Sequence, residues 1–196
     1  ELQIPRPDYC LNAGSGTHAH QTAQMLTGIE DLLMREKPDA VLVYGDTNST
    51  LAGALAASKV LIPVIHVEAG LRSYNMRMPE EQNRVVTDHL SSILFAPTQV
   101  AVENLAKEGI SHQVYNVGDV MCDAVKHYSA LIDRHPRSYF FERSHRLWGE
   151  EAMPDTWYLA TIHRAENTDT YDKIREILSS FESLDHPVIF PVHPRT

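Results

Sequence analysis

Acidic side chains follow short apolar runs at several points in the sequence. Asp46 comes shortly after the run 40–44, Glu68 directly follows the run 63–67, and Glu80 lies further along. Carboxylates that interact raise one another's pKa and supply proton donors and acceptors near neutral pH. Three of them in one crevice would suit general acid–base chemistry, in which a weakly acidic proton is removed and returned.

Cationic side chains occupy comparable positions, either after apolar runs or in the segments that follow them: Arg72, Arg84, His163, Arg164 and His193. Such groups neutralise a diphosphate. The hydroxyl-rich segment 47–50 would also offer backbone N–H groups to an anion at the start of a helix. Neither GxGxxG nor GxxxxGK[ST] occurs, so a dinucleotide fingerprint and a P-loop are not supported.

Each of these residues also has a structural interpretation. Asp46 is a favoured N-cap for the helix that follows it, and Glu80 would complement the dipole in the first turn of another. Arg84 lies in a helix-like segment and would then be a solvated surface charge. Glu68 is harder to explain in this way, because a carboxylate directly after a buried strand needs a partner. Arg72 is one candidate for that partner.

His18 and His20 suggest part of a metal site, but no cysteine or third ligand lies at a suitable spacing. The surrounding segment 17–24 also carries Gln21 and Gln24. It is typical of the polar face of an amphipathic helix, with a ligand-lining surface as the alternative. We therefore predict no metal site.

Six apolar runs are predicted to be the strands that position these side chains, at 40–44, 63–67, 93–96, 114–117, 157–162 and 188–192. Their apolar residues are continuous rather than alternating, which is typical of parallel strands buried on both faces. Helix-like segments lie between them, at 20–36, 49–59, 80–91, 99–108 and 169–184. This alternation predicts a doubly wound α/β fold, in which ligands bind at the carboxyl ends of the strands.

The zone 120–155 breaks the alternation, because its pattern is helical and punctuated by Pro136, Gly149 and Pro154. We interpret it as the crossing between two domains. The predicted domains span 1–119 and 120–196, and the second begins with a helical segment before its first strand at 157–162.

Composition excludes several classes of protein. The 196 residues carry a net charge of −9, which disfavours a nucleic-acid surface. No apolar run is long enough to span a bilayer. Cys10 and Cys122 form no CxxC and are interpreted as reduced thiols of a cytoplasmic protein. The sequence does not begin with Met and stops after a strand-like run, so we expect a piece of a longer protein.

Four motifs resemble those of the non-hydrolysing UDP-N-acetylglucosamine 2-epimerases, in the same order: YGDTNST at 44–50, HVEAGLRS at 66–73, MPEEQNR at 78–84 and TIHRAEN at 161–167. The resemblance extends from 37 to 194, and four ordered motifs make it specific. It implies two Rossmann-like domains in a GT-B-like arrangement, both truncated in this chain. The first domain would lack its first strand, and the active site would lie between the domains.

The resemblance also implies an activity and a set of site residues. The reaction is the reversible conversion of UDP-GlcNAc to UDP-ManNAc, by elimination of UDP to a 2-acetamidoglucal and re-addition with C2 reprotonated. It needs neither a metal nor a nicotinamide cofactor. The matching catalytic positions are Asp46, Glu68, Glu80 and His163. Those expected to hold substrate are Arg84, Arg164, Asn167 and His193, and Arg72 is predicted to join them as a diphosphate contact.

The resemblance implies a UDP-sugar as the partner molecule and a homodimer as the assembly. Composition predicts no nucleic-acid partner and no membrane. Two other activities remain open: a hydrolysing epimerase that releases ManNAc and UDP, and a non-catalytic nucleotide-sugar-binding relative. The sugar is UDP-GlcNAc or a close derivative, such as a uronic-acid or diacetamido sugar.

The sequence departs from the family pattern at its ends and at one internal position. The Gly-Thr-Arg-Pro phosphate loop and the segments that bind uridine and ribose are missing from this sequence, so the chain by itself is expected to be inactive. Asp119 stands in the domain-crossing motif where the family usually has Asn.

Overall fold

A computed structural model of the chain describes residues 4–132, 134–136, 138–140, 154–162, 165–168 and 170–192. The chain divides into two compact units, Glu1–Ala130 and Leu131–Thr196. The division falls near the end of a helix, whereas the sequence places a domain boundary before that helix, after Asp119. The domain boundary remains a prediction.

Strands and helices alternate through the first unit: α1 (His18–Glu36), β1 (Val41–Tyr44), α2 (Asn48–Lys59), β2 (Val64–Val67), α3 (Pro79–Leu90), β3 (Ile93–Ala96), α4 (Gln99–Lys107), β4 (Val114–Asn116) and α5 (Val120–Ile132). Within the described residues, these strands form a parallel sheet in the order β1-β2-β3-β4. A helix lies in each connection between neighbouring strands, because parallel strands need a crossover connection. The predicted α/β class is confirmed.

The second unit contains the strands β5 (Tyr158–Leu159) and β6 (Val188–Ile189), which pair in parallel. In the described part of the segment between them lie the helices α6 (Ala165–Thr168) and α7 (Tyr171–Phe181). Both strands are shorter than the apolar runs that predicted them. Among the described residues, β5 and β6 pair only with each other. Such a short pair forms few backbone hydrogen bonds between its strands.

Capping residues set the ends of several helices. The Thr17 hydroxyl accepts the N–H of His20, so α1 begins earlier than its apolar pattern suggested. Pro79 occupies the first turn of α3, where its missing N–H has no helical partner to lose. α1 ends at Lys37, which adopts the left-handed conformation and returns its N–H to the carbonyl of Leu33.

The main core lies between the sheet and the helices α1, α2 and α3. The buried side chains of α2 are small, and Ala54 and Ala57 are fully buried against β1 and β2. A Cβ on Gly53 would lie 3.1 Å from Cγ1 of Val43, so the helix and the strand are already in close contact there. A second cluster, made of Ala69, Leu94 and Leu105, packs beneath α4.

The second face of the sheet is exposed at the outer strands β1 and β4, where the prediction that the strands are buried on both faces is wrong. Val67, on the same face of β2, is buried. In β1, Val43 is buried, but Leu42 and Tyr44 on the opposite face are 46% and 60% exposed. In β4, Tyr115 is 48% exposed. The helices of the main core pack on the face that carries Val43. A continuous apolar run is typical of strands that are covered on both faces.

Candidate active site

The loops after β1 and β2 bring two of the predicted carboxylates to one guanidinium. Nη2 of Arg84, on α3, lies 2.7 Å from Oδ2 of Asp46 and 3.3 Å from Oε1 of Glu68. The side chains of Asp46 and Glu68 are 28% and 30% exposed, whereas that of Arg84 is 11% exposed. The carboxylates therefore open to solvent above a largely buried cation, while their catalytic roles remain predictions.

Glu68 has an unusual backbone conformation for a residue with a side chain. Its φ is +74°, in the left-handed region, and its N–H is held by the carbonyl of Phe95 at 3.0 Å. A Cβ added to Gly45, which itself has a φ of +64°, would lie 3.4 Å from Oε2 of Glu68. The left-handed turn thus folds the Glu68 carboxylate back over the loop that carries Asp46. Strained residues of this kind cluster at functional sites.

Glu80 is exposed in the first turn of α3. Residues four apart in a helix share a face, so Glu80 lies on the face that carries Arg84, one turn nearer to the start of the helix. This places the third predicted carboxylate on the same side of α3 as the bridging guanidinium. Its function as an acid or base remains a prediction.

An amide network, which the sequence did not indicate, fixes the start of α2 beside Asp46. Nδ2 of Asn83 donates to the backbone carbonyl of Asp46 at 2.9 Å and to Oδ1 of Asn48 at 3.2 Å. Asn48 in turn donates to Oε1 of Gln21 at 3.0 Å. Asn83 therefore holds the Asp46 loop from α3, the helix that also carries Arg84. The only sequence signal for it was its place in the MPEEQNR motif.

The first turn of α2 lies directly after Asp46. Thr47 is the N-cap residue, but its hydroxyl does not cap the helix. It contacts the hydroxyls of Ser49 and Thr50 instead, at 2.8 Å and 3.1 Å. The cap side chain therefore does not use the first amides of α2. That these amides bind an anion remains a prediction.

Arg72 belongs to a buried chain of ion pairs. Its Nη1 lies 2.7 Å from Oδ2 of Asp88, and its Nε and Nη2 form a bidentate pair with Glu108 at 2.7 Å and 2.8 Å. The alternative that paired Arg72 with Glu68 is wrong, because Glu68 pairs with Arg84. The Arg72 side chain is only 1% exposed, and its predicted contact with substrate remains a prediction.

The electrostatics of this chain follow from its geometry. Burial alone would lower the pKa of Arg72, but the hydrogen bonds and charges of Glu108 and Asp88 outweigh that effect and raise it. The Arg72 hydrogen bonds lower the pKa of Glu108 in return. Arg72 and Glu108 are therefore both charged at neutral pH.

Glu81, the neighbour of Glu80, is buried and accepts hydrogen bonds from a loop. Its carboxylate accepts the N–H of Ser73 at 2.8 Å, the N–H of Tyr74 at 2.9 Å and the hydroxyl of Ser73 at 3.0 Å. Burial raises the pKa of Glu81, but these hydrogen bonds and the charge of Arg72 outweigh it, so the pKa is lowered. Glu81 thus fixes the loop that follows Glu68.

Four predicted site residues belong to the second unit. His163, Arg164 and His193 lie outside the described residues. Asn167 lies in α6 and is partly buried. The roles of these four residues remain predictions.

His18 makes a polar contact rather than joining a cluster of metal ligands. Its Nδ1 lies 3.1 Å from the amide nitrogen of Asn48. Within the described ranges, no three His, Cys, Asp or Glu side chains gather as ligands of a metal ion. In the same ranges, no helix combines the length and the apolar character needed to cross a bilayer.

Comparison with known proteins gives the chain its relatives. It is 52% identical to a UDP-N-acetylglucosamine 2-epimerase homolog of Methanococcus maripaludis, over 100% of this chain and 53% of that protein. It is 50% identical to the UDP-2,3-diacetamido-2,3-dideoxy-D-glucuronate 2-epimerase of Pseudomonas aeruginosa, with the same coverage of each chain. The chain therefore spans about half the length of the curated relatives it matches.

The fold has a similar counterpart among solved structures. The Methanocaldococcus jannaschii UDP-GlcNAc 2-epimerase, crystallised with UDP-GlcNAc and UDP, superposes with a TM-score of 0.87 at 46% identity, over 98% of this chain and 52% of that one. This likeness confirms the GT-B-like fold. The family model described as UDP-N-acetylglucosamine 2-epimerase matches residues 1–196, and this chain therefore belongs to the UDP-N-acetylglucosamine 2-epimerase family.

Proposed function

We propose that the whole protein carrying this chain catalyses the reversible C2 epimerisation of UDP-N-acetylglucosamine to UDP-N-acetylmannosamine. The observation that carries the proposal is the meeting of Asp46 and Glu68 at Arg84, beside the carboxyl ends of β1 and β2. Inversion at C2 requires one group to remove a proton and another to return it from the opposite face. Two partly exposed carboxylates at one guanidinium, with Glu80 on the adjoining helix face, would supply such groups.

The proposed reaction begins with elimination. A carboxylate removes the C2 proton while the bond between C1 and the diphosphate oxygen breaks, and UDP departs with the electron pair of that bond. The product is a 2-acetamidoglucal. In the return step UDP adds to C1, and C2 takes a proton on the other face. The epimer has the same composition as the substrate, and its C2 hydrogen comes from solvent.

The departing diphosphate carries the developing charge, and fixed cations and N–H groups stabilise it. Arg84 and the first turn of α2 lie beside Asp46, where they would meet the leaving group. We assign the remaining diphosphate and nucleotide contacts to His163, Arg164, Asn167 and His193, with His163 near the UDP. Arg72 would support the site indirectly, through its ion pair with Asp88.

A second substrate is favoured by a specific observation. The relative from Pseudomonas aeruginosa, 50% identical to this chain, is named for UDP-2,3-diacetamido-2,3-dideoxy-D-glucuronate. The two substrates share the C2 acetamido group and the UDP leaving group, so the same carboxylates serve both. Parallel assays with the two UDP-sugars would show which one has the higher kcat/KM.

The proposal also includes a cytoplasmic homodimer that uses neither a metal nor a nicotinamide cofactor. The family resemblance supports the dimer. Light scattering on the whole protein would give twice the mass of one chain, and a single-chain mass would contradict the dimer. Dialysis against a chelator should leave turnover unchanged.

The deciding experiment is turnover of UDP-GlcNAc in D₂O by the whole protein. We expect both C2 epimers of the UDP-sugar, each with deuterium at C2, because the proton that returns comes from solvent. Release of free ManNAc and UDP would establish a hydrolysing enzyme instead. Binding of UDP-GlcNAc without any turnover would favour a non-catalytic nucleotide-sugar-binding protein.

A further inference from the structure

A buried histidine connects the β1 loop to α3. His66, in β2, has a side chain with no solvent exposure. Its Nδ1 lies 2.7 Å from Oδ1 of Asp88, and its Nε2 lies 2.8 Å from the backbone carbonyl of Gly45. A carbonyl oxygen only accepts, so Nε2 donates to Gly45, while Nδ1 faces the carboxylate of Asp88. His66 therefore holds the residue directly before Asp46.

Asp88 is the junction of this network. Besides His66, its carboxylate accepts the N–H of Gly70 at 3.0 Å and Nη1 of Arg72 at 2.7 Å. Arg72 continues to Glu108, whose side chain is 27% exposed. The chain thus runs from a carboxylate at the surface to a fully buried carboxylate, and from there to the two loops that carry Asp46 and Glu68.

The loops held by these contacts contain residues in the left-handed backbone conformation. Gly45, Glu68 and Gly70 have φ values of +64°, +74° and +80°. A Cβ on Gly70 would lie 2.4 Å from the carbonyl oxygen of Ala101, so only glycine fits there. Glycine adopts such values readily, but the left-handed conformation of Glu68 persists only when its surroundings fix it. The surroundings here are His66 at Gly45 and Asp88 at Gly70.

A gain in folding stability does not by itself explain this buried network of ionic side chains. Apolar side chains of similar volume often stabilise a protein as well as, or better than, a buried ion pair. The placement of reacting groups is a stronger explanation, because misplacing one by about 1 Å can lower a rate by about 100-fold. The observed contacts end at the backbone beside the two carboxylates, where such a misplacement would have its effect.

We propose that His66 and Asp88 are positioning residues, which hold the Asp46 and Glu68 loops at the separation that Arg84 bridges. The inference rests on the proposed epimerase function, because it concerns the same two carboxylates. The residues touch no substrate and act through the backbone of Gly45 and Gly70.

The test is Asp88→Asn in the whole protein, assayed with UDP-GlcNAc in D₂O. Asn presents a single acceptor oxygen, and its NH₂ group would face a donor, so the contacts to His66, Gly70 and Arg72 cannot all persist. We expect kcat and the rate of deuterium entry at C2 to fall together by about 100-fold, with KM little changed. A kcat equal to that of the wild type in folded protein would overturn the proposal.

A matched control separates positioning from loss of stability. Leu33→Ala removes a buried side chain from the core beneath α1, away from the polar chain, and should lower Tm without changing kcat at a temperature well below unfolding. If Leu33→Ala lowers kcat as much as Asp88→Asn does, the effect is one of stability and the proposal fails.

Two further measurements cover the case in which Asp88→Asn does not fold. His66→Gln retains a donor for the Gly45 carbonyl but loses the imidazole contact to Asp88, and we expect a smaller loss of kcat. In the wild-type protein, the Gly70 amide should exchange with D₂O only through global unfolding. Exchange through local opening, or a wild-type kcat in His66→Gln, would overturn the proposal.

The failure of this inference differs from failure of the proposed function. If the wild-type protein shows no epimerisation and no entry of deuterium at C2, the proposed function fails and the inference fails with it. If the wild type turns over and Asp88→Asn does so equally, only the positioning role fails.

Discussion

Asp46 and Arg84 form a 2.7 Å ion pair between the loop after β1 and the helix α3. The same nitrogen of Arg84 reaches Glu68, so one guanidinium separates two carboxylates that would otherwise repel each other. Neither element makes this arrangement alone. The parallel order of β1 and β2 brings the two loops to one edge of the sheet, and the crossover returns α3 across that edge.

The first prediction concerns this bridge. Arg84→Gln in the whole protein should lower kcat/KM by about 10²–10³-fold, the loss typical of one removed charge-stabilising donor. Steady-state kinetics with UDP-GlcNAc would measure it. The control is Arg35→Gln, which removes an exposed arginine paired with Glu36 and should leave kcat/KM unchanged. Equal kinetics of Arg84→Gln and wild type would contradict a role in the site.

The second prediction follows from the left-handed backbone of Glu68. Both Glu68→Ala and Glu68→Gly should abolish turnover, because both remove the carboxylate. Glycine relieves the backbone strain and alanine does not, so the glycine variant should be more stable than the alanine variant by about 1 kcal/mol. Urea unfolding measures the difference. An alanine variant as stable as the glycine variant would show that the backbone there is unstrained.

The third prediction separates the adjacent residues Glu80 and Glu81. Glu80→Gln should lower kcat with little change in stability, because Glu80 is exposed. Glu81→Gln should lower the free energy of unfolding by about 1–2 kcal/mol, because the backbone N–H groups of Ser73 and Tyr74 lose a charged acceptor. The reverse pattern would exchange the two assignments.

The pH dependence of Glu81 provides a further check. Its pKa is lower in the folded protein than in the unfolded chain, so its stabilising contribution is present above the unfolded value of about 4.3. It is lost as pH falls through the lower folded value. The difference in unfolding free energy between wild type and Glu81→Gln should therefore be constant near neutral pH and shrink below about pH 4. A difference that persists unchanged into acid would contradict an ionised Glu81.

The fourth prediction decides between two roles for Arg72. Arg72→Leu leaves Asp88 and Glu108 without their cation, and removing one partner of a buried pair costs about 3–5 kcal/mol of stability. Chemical unfolding would show the loss. A raised KM at unchanged unfolding free energy would instead support the direct substrate contact that the sequence suggested.

The sequence predicted the parts of this structure that depend on local patterns. Apolar runs separated by amphipathic segments require a parallel sheet with crossover helices, and the carboxyl ends of parallel strands share one edge. The approach of Glu68 to the Asp46 loop followed from this rule. Cap and turn residues then adjusted the boundaries, as Thr17 did for α1.

The rest depended on helix phase and long-range pairing, which motifs do not encode. Glu80 and Glu81 are adjacent and of the same type, but the turn of α3 exposes one and buries the other. Asp88 and Glu108 look like surface charges in sequence, because nothing local shows that Arg72 reaches both. Arg72 therefore has two acidic partners that its motif does not reveal, and its contact with substrate remains a prediction.

The exposed outer strands of the sheet affect how a sample of this chain alone would behave in solution. Register places Tyr44, Val67, Phe95 and Tyr115 side by side across the strands on one face of the sheet, and the tyrosines at the two ends of this row are exposed. Exposed apolar surface promotes association in water, so aggregation or dye binding in such a sample would report these exposed side chains and would not test the roles predicted for Asp46 and Glu68.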